Sequence, residues 1–452
     1  MEKILILQVM APTSDGEIFA RPVSWEEAGD EPIVYIEHDK FTGFLSYGDR
    51  ILTRIKPVNS NNFDYVGKII KKIEDNPQTK LGIFQITPNG PRVKSIDKSG
   101  KDWLVELDKG VVIEDGELVE FRKIDTGRRI RSEKVRVSER LGDPSAPKSV
   151  SLIAIHQHKI PNIFPENALL QSKKASFLQN KKWDDYSHVP FVTIDPKDAR
   201  DHDDACYAKP DDDPKNIGGH LIWVAIADVA HFVRSGDAID NEARHRGNST
   251  YFPDRVVPML PDNLSGNLCS LHEGEKRACI VVKIKIDSVG NKISHKFTRA
   301  VIQSWASLEY GEVQEVIDKG KGKPKVLDIV NTVIKPLYDA YSCLKISRKA
   351  RSPLDLNLPE RKIEIDEKGI VKDVRFKERL EAHKLIEEFM ILANVCAAET
   401  LSYKKTPTIF RVHEEPDKEK IEALRKTAVS VGLKLSKGQN IKASHINELL
   451  AQ

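Results

Sequence analysis

A thirteen-residue segment, 193–205, contains five aspartates, and this density of negative charge limits how the surrounding chain can fold. Like charges placed this close together repel one another unless cations offset them. Carboxylate oxygens are hard ligands, which select Mg²⁺, Mn²⁺ or Ca²⁺ over zinc or copper. The acids are interleaved with Ile194, Ala199 and Ala205, and the segment continues directly into Cys206–Ala208. The pattern therefore predicts a cation-binding loop that returns into a hydrophobic core.

An EF-hand does not fit this segment. Counted from Asp201, positions 5 and 6 of such a loop would be Ala205 and Cys206, where a ligand and a glycine are required. Counted from Asp195, position 3 is Lys197. A solvated acidic loop is the other alternative, and it suits the triplet 211–213 better than a segment interleaved with apolar residues. Four carboxylates at one site suit two divalent ions flanking a scissile phosphate, which indicates a metal-dependent phosphodiesterase.

The first 125 residues or so consist of short alternating runs separated by turn residues, such as 32–36, 51–55 and 82–86. This pattern is typical of small antiparallel barrels. Gly48 and Gly116 each precede an apolar strand and lie 68 positions apart, about the length of one OB-type barrel. We therefore predict two OB-type, cold-shock-like domains, at residues 1–62 and 63–127.

A basic run follows the predicted barrels. Residues 122–140 contain eight basic and three acidic residues, and a breaker cluster follows at 142–147. The run is either a phosphate-binding patch or a solvated linker face. We assign residues 128–188 to a basic linker and approach segment. Within it, Arg128, Arg129 and Arg131 are the candidate contacts to a nucleic-acid backbone.

From residue 189 onward the chain has longer apolar strands and true helices. Leu221–Ala227 is a continuous apolar run, as in a strand buried on both faces, and 385–397 has the spacing of a helix with a wide buried stripe. Residues 189–452 are therefore predicted to form a mixed α+β domain that contains the large core. The five cysteines form no C-x-x-C pair, and no stretch approaches the ~18 apolar residues of a spanning helix. We expect a cytoplasmic protein with no membrane partner.

Several segments, in this order along the chain, resemble the RNB family of exoribonucleases, which includes ribonuclease II and ribonuclease R. The matching segments are Thr193–Ala205, Trp223–Val233, Arg246–Pro253, Leu264–Leu271, Leu385–Asn394 and Phe410–Glu414. The resemblance implies a multidomain fold in which N-terminal all-β OB-type barrels precede an α+β RNB catalytic domain. It also implies a processive, magnesium-dependent (or manganese-dependent) 3′→5′ exoribonuclease that converts single-stranded RNA to 5′-nucleoside monophosphates, as a monomer without a predictable protein partner.

The resemblance also assigns roles to individual residues. The aspartates that match the catalytic-magnesium ligands of the family are Asp195, Asp201, Asp203 and Asp204. Among these, Asp203 is implied to be the most directly catalytic. Tyr251 matches a tyrosine that stacks on the terminal nucleotides, and the alternative is an ordinary half-buried aromatic. Magnesium sites seldom use imidazole, so we predict that His202 lies outside the ligand set.

The chain departs from the family pattern at several points. The family's catalytic domain continues beyond the point that matches Gln452, through a segment whose arginine helps to hold the scissile phosphate. A C-terminal OB-type domain and an N-terminal helical extension are further family segments without a counterpart here. Leu354–Leu356 has no aromatic residue where relatives are expected to place one. The alternative function is therefore an RNA-binding fragment or pseudo-enzyme without turnover.

Overall fold

The computed structural model describes most of the chain and divides it into two compact units, residues 1–159 and 160–452. The described residues are 3–10, 17–23, 32–37, 45, 50–58, 63–73, 80–96, 101–107, 112–124, 134–158, 160–177, 182–354, 356, 358–366, 370–412, 414–435 and 441–451.

The first unit begins with a closed five-stranded barrel in the order β1-β2-β3-β5-β4. Its strands are β1 (Lys3–Val9), β2 (Phe19–Pro22), β3 (Val34–Ile36), β4 (Arg50–Pro57) and β5 (Tyr65–Ile73). Alternate residues of β4 point inward, so Ile51, Thr53 and Ile55 are fully buried. Gly67 allows β5 to pass close to this core, because a Cβ there would lie 2.7 Å from the side chain of Thr53.

A second closed barrel follows in the order β10-β8-β7-β6-β9. Its strands are β6 (Lys80–Thr87), β7 (Gly90–Ser95), β8 (Asp102–Val105), β9 (Leu118–Lys123) and β10 (Lys134–Gly142). Three aromatic side chains, Phe84, Trp103 and Phe121, are buried in its interior. A helix, α1 (Pro147–Gln157), completes the unit. The prediction of N-terminal all-β barrels is confirmed.

The domain boundaries differ from those expected from the sequence. β5 closes the first barrel by pairing with β3 and β4, whereas the sequence patterns assign residues 63–73 to the second domain. Likewise, β10 closes the second barrel from within the predicted linker, 128–188. The reason is that alternation along a strand indicates which side chains are buried but not which barrel the strand completes.

The second unit is built on a seven-stranded sheet in the order β11-β18-β17-β14-β13-β12-β19. These strands are β11 (Asp184–Asp185), β12 (Val192–Asp195), β13 (Asp204–Pro210), β14 (His220–Ala227), β17 (Lys276–Ile286), β18 (Lys292–Gln303) and β19 (Ala306–Glu309). Two small hairpins accompany the sheet: β15 (Thr250–Tyr251) with β16 (Val256–Val257), and β20 (Arg361–Ile365) with β21 (Val371–Phe376).

Nine α-helices and two π-helical turns, Leu264–Leu268 and Val330–Ile334, occupy the described part of this unit. The helices are α2 (Glu166–Lys174), α3 (Val229–Phe232), α4 (Ala238–Arg246), α5 (Tyr310–Lys319), α6 (Pro324–Asp328), α7 (Lys335–Arg351), α8 (Glu381–Tyr403), α9 (Lys418–Ser430) and α10 (Ala443–Leu450). No helix in the described ranges is both long and apolar enough to cross a membrane.

The sheet is covered on both faces, which explains the continuous apolar run of β14. Ile222 and Val224 belong to the core beneath α5, α7 and α8, where Phe389 is fully buried. Trp223 and Ala225 point to the opposite face and join a second core with residues of α2, α4 and the turn at 264–268. The central strands therefore lie between two packed layers, and the aspartate segment is at one end of these strands.

Candidate metal centre

The aspartate segment connects two antiparallel strands at one end of the sheet. β12 ends at Asp195 and β13 begins at Asp204, and the register pairs Val192 with Cys206. β14 lies on the other side of β13, so that Asp204 is opposite Ile226. The loop 196–203 thus leads from one buried strand into another, as expected from the apolar residues interleaved with its acids.

A neighbouring segment, 270–272, holds this loop by hydrogen bonds. The hydroxyl of Ser270 accepts a bond from the backbone N–H of His202 (3.0 Å) and donates one to the carbonyl of Arg200 (3.3 Å). The backbone N–H of Leu271 donates to the carbonyl of His202 at 2.7 Å. Ser270 is fully buried, so these bonds are shielded from competing water. The backbone on both sides of Asp201 is thereby fixed.

The side chain of His202 contacts one of the predicted ligands. Its Nδ1 donates to Oδ2 of Asp195 at 2.7 Å, and Asp195 is only 9% exposed. This hydrogen bond, together with the negative charges of Asp195, Asp201 and Asp203, raises the pKa of His202 against the opposing effect of burial. His202 therefore helps to balance the negative charge of the loop.

The two aspartates at the start of β13 have raised pKa values. Burial is the largest cause of the raised pKa of Asp203, and the charges of Asp201 and Asp195 add to it. Burial also raises the pKa of the half-buried Asp204 to about 7, with further contributions from Asp203 and Asp195. Within the described part of the chain, no group donates a hydrogen bond to the Asp204 carboxylate. Burial and neighbouring negative charge thus disfavour the ionised form of both carboxyls, and a bound cation would favour it.

Tyr251 lies beside the loop, although it is 50 positions away in sequence. Its hydroxyl donates to Oδ2 of Asp201 at 3.1 Å, while the residue remains 65% exposed. The chain reaches this position because Gly247, with a φ of +78°, follows the last residue of α4, and because Tyr251 pairs with Val256 in the small hairpin. An exposed aromatic ring is thereby anchored next to the aspartates.

The structure adds one neighbour that the sequence patterns did not indicate. β19 runs parallel to β12 and pairs Glu309 with Asp195, so the next residue, Tyr310, lies close to the cluster. Burial raises the pKa of Tyr310 well above its usual value, and the charges of Asp204 and Asp195 raise it further. Its ring stacks on His383 with a centroid separation of 4.0 Å. Only the strand pairing, which is a tertiary feature, brings Tyr310 here.

The donor set fits a hard divalent ion in its chemistry. Asp195, Asp201, Asp203 and Asp204 supply carboxylate oxygens, which Mg²⁺ and Mn²⁺ prefer, and their mutual repulsion is what a cation relieves. Among the described residues, however, no three histidine, cysteine, aspartate or glutamate side chains are already grouped so that they could hold a metal. Holding an ion through three of these aspartates therefore requires side-chain rotation.

The predicted basic patch is only partly described. Arg128, Arg129 and Arg131 lie outside the described residues, as do Asp355 and His413. The described basic residues of the run lie on the barrel strands β9 and β10 rather than in a linker, and Arg136 is paired in register with Arg122. Nearby, Arg140 forms an ion pair with Glu117 at 2.6 Å.

Comparisons with known proteins agree with this architecture. Residues 183–452 match the family model described as the RNB domain. Ribonuclease R of Vibrio parahaemolyticus is 31% identical over 436 residues, which cover 94% of this chain and 50% of that protein. Ribonuclease R of Escherichia coli is 33% identical over 376 residues, which cover 82% of this chain and 45% of that protein. The chain thus spans about half the length of these curated relatives.

A solved structure of Mycoplasma genitalium RNase R in complex with ribose-methylated single-stranded RNA has the same fold. Its TM-score is 0.70 at 24% sequence identity, and the match covers 98% of this chain and 69% of that one. At this identity the likeness shows the fold alone, and the assignment to a family rests on the family model. Because that model matches more than half of its residues, the chain belongs to the RNB family.

Proposed function

We propose that this chain is a divalent-metal-dependent exoribonuclease that degrades single-stranded RNA processively from the 3′ end and releases 5′-nucleoside monophosphates. One observation carries the proposal. Within an RNB domain, Asp195, Asp201, Asp203 and Asp204 all lie in one segment at one end of the central sheet. Relatives named ribonuclease R, at 31% and 33% identity, support the same activity. Action as a cytoplasmic monomer is part of the proposal.

In this proposal the four aspartates hold Mg²⁺, with Mn²⁺ as a substitute. A divalent ion bound there would activate water and neutralise charge that develops on the scissile phosphate. Asp203 has the most direct role in this proposal, because it is the more exposed of the adjacent pair Asp203 and Asp204. Tyr251 would orient the terminal nucleotides by stacking, with its ring anchored through Asp201.

The alternative is an RNA-binding protein without turnover. The retention of all four carboxylates favours the enzyme, because clustering them costs stability unless a cation binds. The two are distinguished by incubating the purified full-length protein with 5′-labelled single-stranded RNA in Mg²⁺ or in EDTA. We expect the intact RNA to be converted to short 5′-labelled end products, with few intermediates, when Mg²⁺ is present and not in EDTA. Binding without shortening at any Mg²⁺ concentration would identify the pseudo-enzyme.

Tyr251→Ala is expected to leave longer end products than the parent protein. Base–aromatic stacking contributes ~1–3 kcal/mol per base, so short oligonucleotides should dissociate earlier when the ring is removed. Tyr251→Phe is the matched control, since it keeps the ring and removes only the bond to Asp201. Products resolved on a sequencing gel decide the matter. An unchanged ladder for Tyr251→Ala would indicate a structural tyrosine.

Neutralising Arg128, Arg129 and Arg131 together is expected to weaken RNA binding and reduce its salt dependence. Each lost phosphate contact lowers the slope of log affinity against log salt by about 0.7 for a single strand. The measurement is a fluorescence-anisotropy titration at several salt concentrations in EDTA. Neutralising three exposed lysines of the second unit, Lys173, Lys174 and Lys321, controls for net charge. An unchanged slope in the arginine variant would assign the run to a solvated face.

A further inference from the structure

The loop 196–203 contains one aromatic side chain, that of His202, whose role the proposed function does not explain. His202 is flanked by Asp201 and Asp203, and it is half-buried rather than turned into solvent. Its Nδ1 donates to Oδ2 of Asp195, at the end of β12, with a separation of 2.7 Å. The contact therefore joins the middle of the loop to its first aspartate, seven positions earlier.

His202 makes three contacts with the segment 270–272, two through its backbone and one through its ring. Its backbone N–H donates to the hydroxyl of Ser270, and its carbonyl accepts from the N–H of Leu271. Its ring meets that of His272 edge-on, with centroids 6.0 Å apart. The Nε2 of His272 in turn donates to the carbonyl of Gly266 at 2.9 Å. Both the backbone and the ring of His202 are thus attached to a second part of the chain.

The geometry also limits what His202 can do. Its Nδ1 is committed to Asp195, and magnesium prefers oxygen ligands to imidazole. A direct ligand role is therefore disfavoured. The bond does fix the orientation of the Asp195 carboxylate, and it occupies Oδ2 while leaving Oδ1 available. Carboxylates that bind metals are themselves usually hydrogen-bonded, and such bonds set the direction of the ligand oxygen.

We propose that His202 is a positioning residue for the candidate metal centre. It orients Asp195 so that Oδ1 can bind the ion, and the segment 270–272 holds His202 for this purpose. The inference rests on the proposed function, because it presupposes that Asp195 binds a divalent ion. It concerns the affinity of the site for the ion rather than the hydrolysis step, and it can therefore be tested without RNA.

The test measures Mn²⁺ binding to the purified full-length protein by electron paramagnetic resonance of the free ion. His202→Phe keeps a flat ring of similar size and removes the donor. We expect it to weaken Mn²⁺ binding by about 10–100-fold, as is typical when a partner of a metal ligand is lost. His202→Asn places an amide nitrogen near the position of Nδ1, and it should restore affinity to within about threefold of the parent protein.

Two further variants complete the design. His245→Phe makes the same chemical change on the exposed part of α4 and should leave Mn²⁺ affinity unchanged. Ser270→Ala keeps the His202 ring but removes the bond to its backbone, and it should weaken Mn²⁺ binding in the same direction. Ser270→Ala also serves if thermal melting shows His202→Phe to be unfolded. Unchanged affinity in Ser270→Ala would then overturn the inference.

The possible results separate this inference from the proposed function. If Asp203→Asn weakens Mn²⁺ binding but His202→Phe does not, the positioning role is overturned and the metal site stands. Equal losses in His202→Phe and His202→Asn would also overturn it, because the hydrogen bond would then not be the relevant property. If neither the parent protein nor any variant binds Mn²⁺, both the inference and the proposed function are overturned.

Discussion

We expect Asp203→Asn to lower the rate of RNA hydrolysis by at least about a thousandfold. Loss of one preorganised electrostatic contact typically lowers the rate by ~10²–10³. Because Asp203 would also hold the ion, its loss should have a larger effect. The affinity for RNA should stay within about twofold, because phosphate contacts away from the reacting centre provide most of it. Hydrolysis is measured with the full-length protein at saturating Mg²⁺, and affinity is measured in EDTA.

The matched control is Asp212→Asn. It makes the same change in charge and shape in the acidic triplet at 211–213, where Asp212 is largely exposed and pairs with Lys209 at 2.8 Å. We expect its hydrolysis rate to equal that of the parent protein. Comparable turnover by Asp203→Asn and the parent protein would refute the assignment of Asp203 to the metal centre. Loss of activity in both variants would point to a nonspecific effect of charge.

Asp204→Asn is expected to stabilise the metal-free protein above neutral pH. Burial and the neighbouring aspartates raise the pKa of Asp204 to about 7 in the folded state. An unfolded chain releases this proton near pH 4, so between pH 4 and 7 the folded protein binds more protons than the unfolded chain. The free energy of unfolding must therefore fall as the pH rises through this range.

The size of this effect follows from the width of the pH range. A difference of about three pKa units corresponds to a loss of up to about 4 kcal/mol, which is fully present above pH 7 and absent below pH 4. Asparagine resembles the protonated carboxyl and carries no charge, so Asp204→Asn should remove most of the loss. The loss is measured by urea unfolding in EDTA at pH 4.5 and at pH 8. These values lie about half a unit above the lower limit of the range and about one unit above its upper limit.

Two comparisons make the stability test specific. Asp212→Asn, on the exposed triplet, should change the free energy of unfolding by less than about 0.5 kcal/mol at either pH. Saturating Mg²⁺ should reduce the difference between the parent protein and Asp204→Asn, because an ion that binds only the folded parent stabilises it by mass action. Identical unfolding curves in EDTA for Asp204→Asn and the parent protein at pH 8 would contradict the raised pKa.

Much of the architecture was determined by the sequence alone. Alternation of apolar and polar residues in the first third predicts the all-β barrels, and the apolar run at 221–227 predicts a strand covered on both faces. Both predictions are possible because a strand buried on one face alternates apolar and polar residues, whereas a strand buried on two faces is apolar throughout. The aspartate segment predicts a charged loop that enters a core for the same reason. The four candidate ligands lie within ten residues of the sequence, so they belong to one short segment whatever the fold around it.

The tertiary structure decided which distant residues lie beside that loop. Tyr251 reaches Asp201 through a turn at Gly247, Ser270 binds the loop backbone from 68 positions away, and Tyr310 arrives because β19 pairs in parallel with β12. The pairing of β5 and β10 likewise decided where each barrel ends. Local patterns record how a side chain is exposed, whereas strand order and register depend on contacts between segments far apart in the chain. The charged loop could therefore be predicted from the sequence, whereas the residues that surround it could be identified only from the fold.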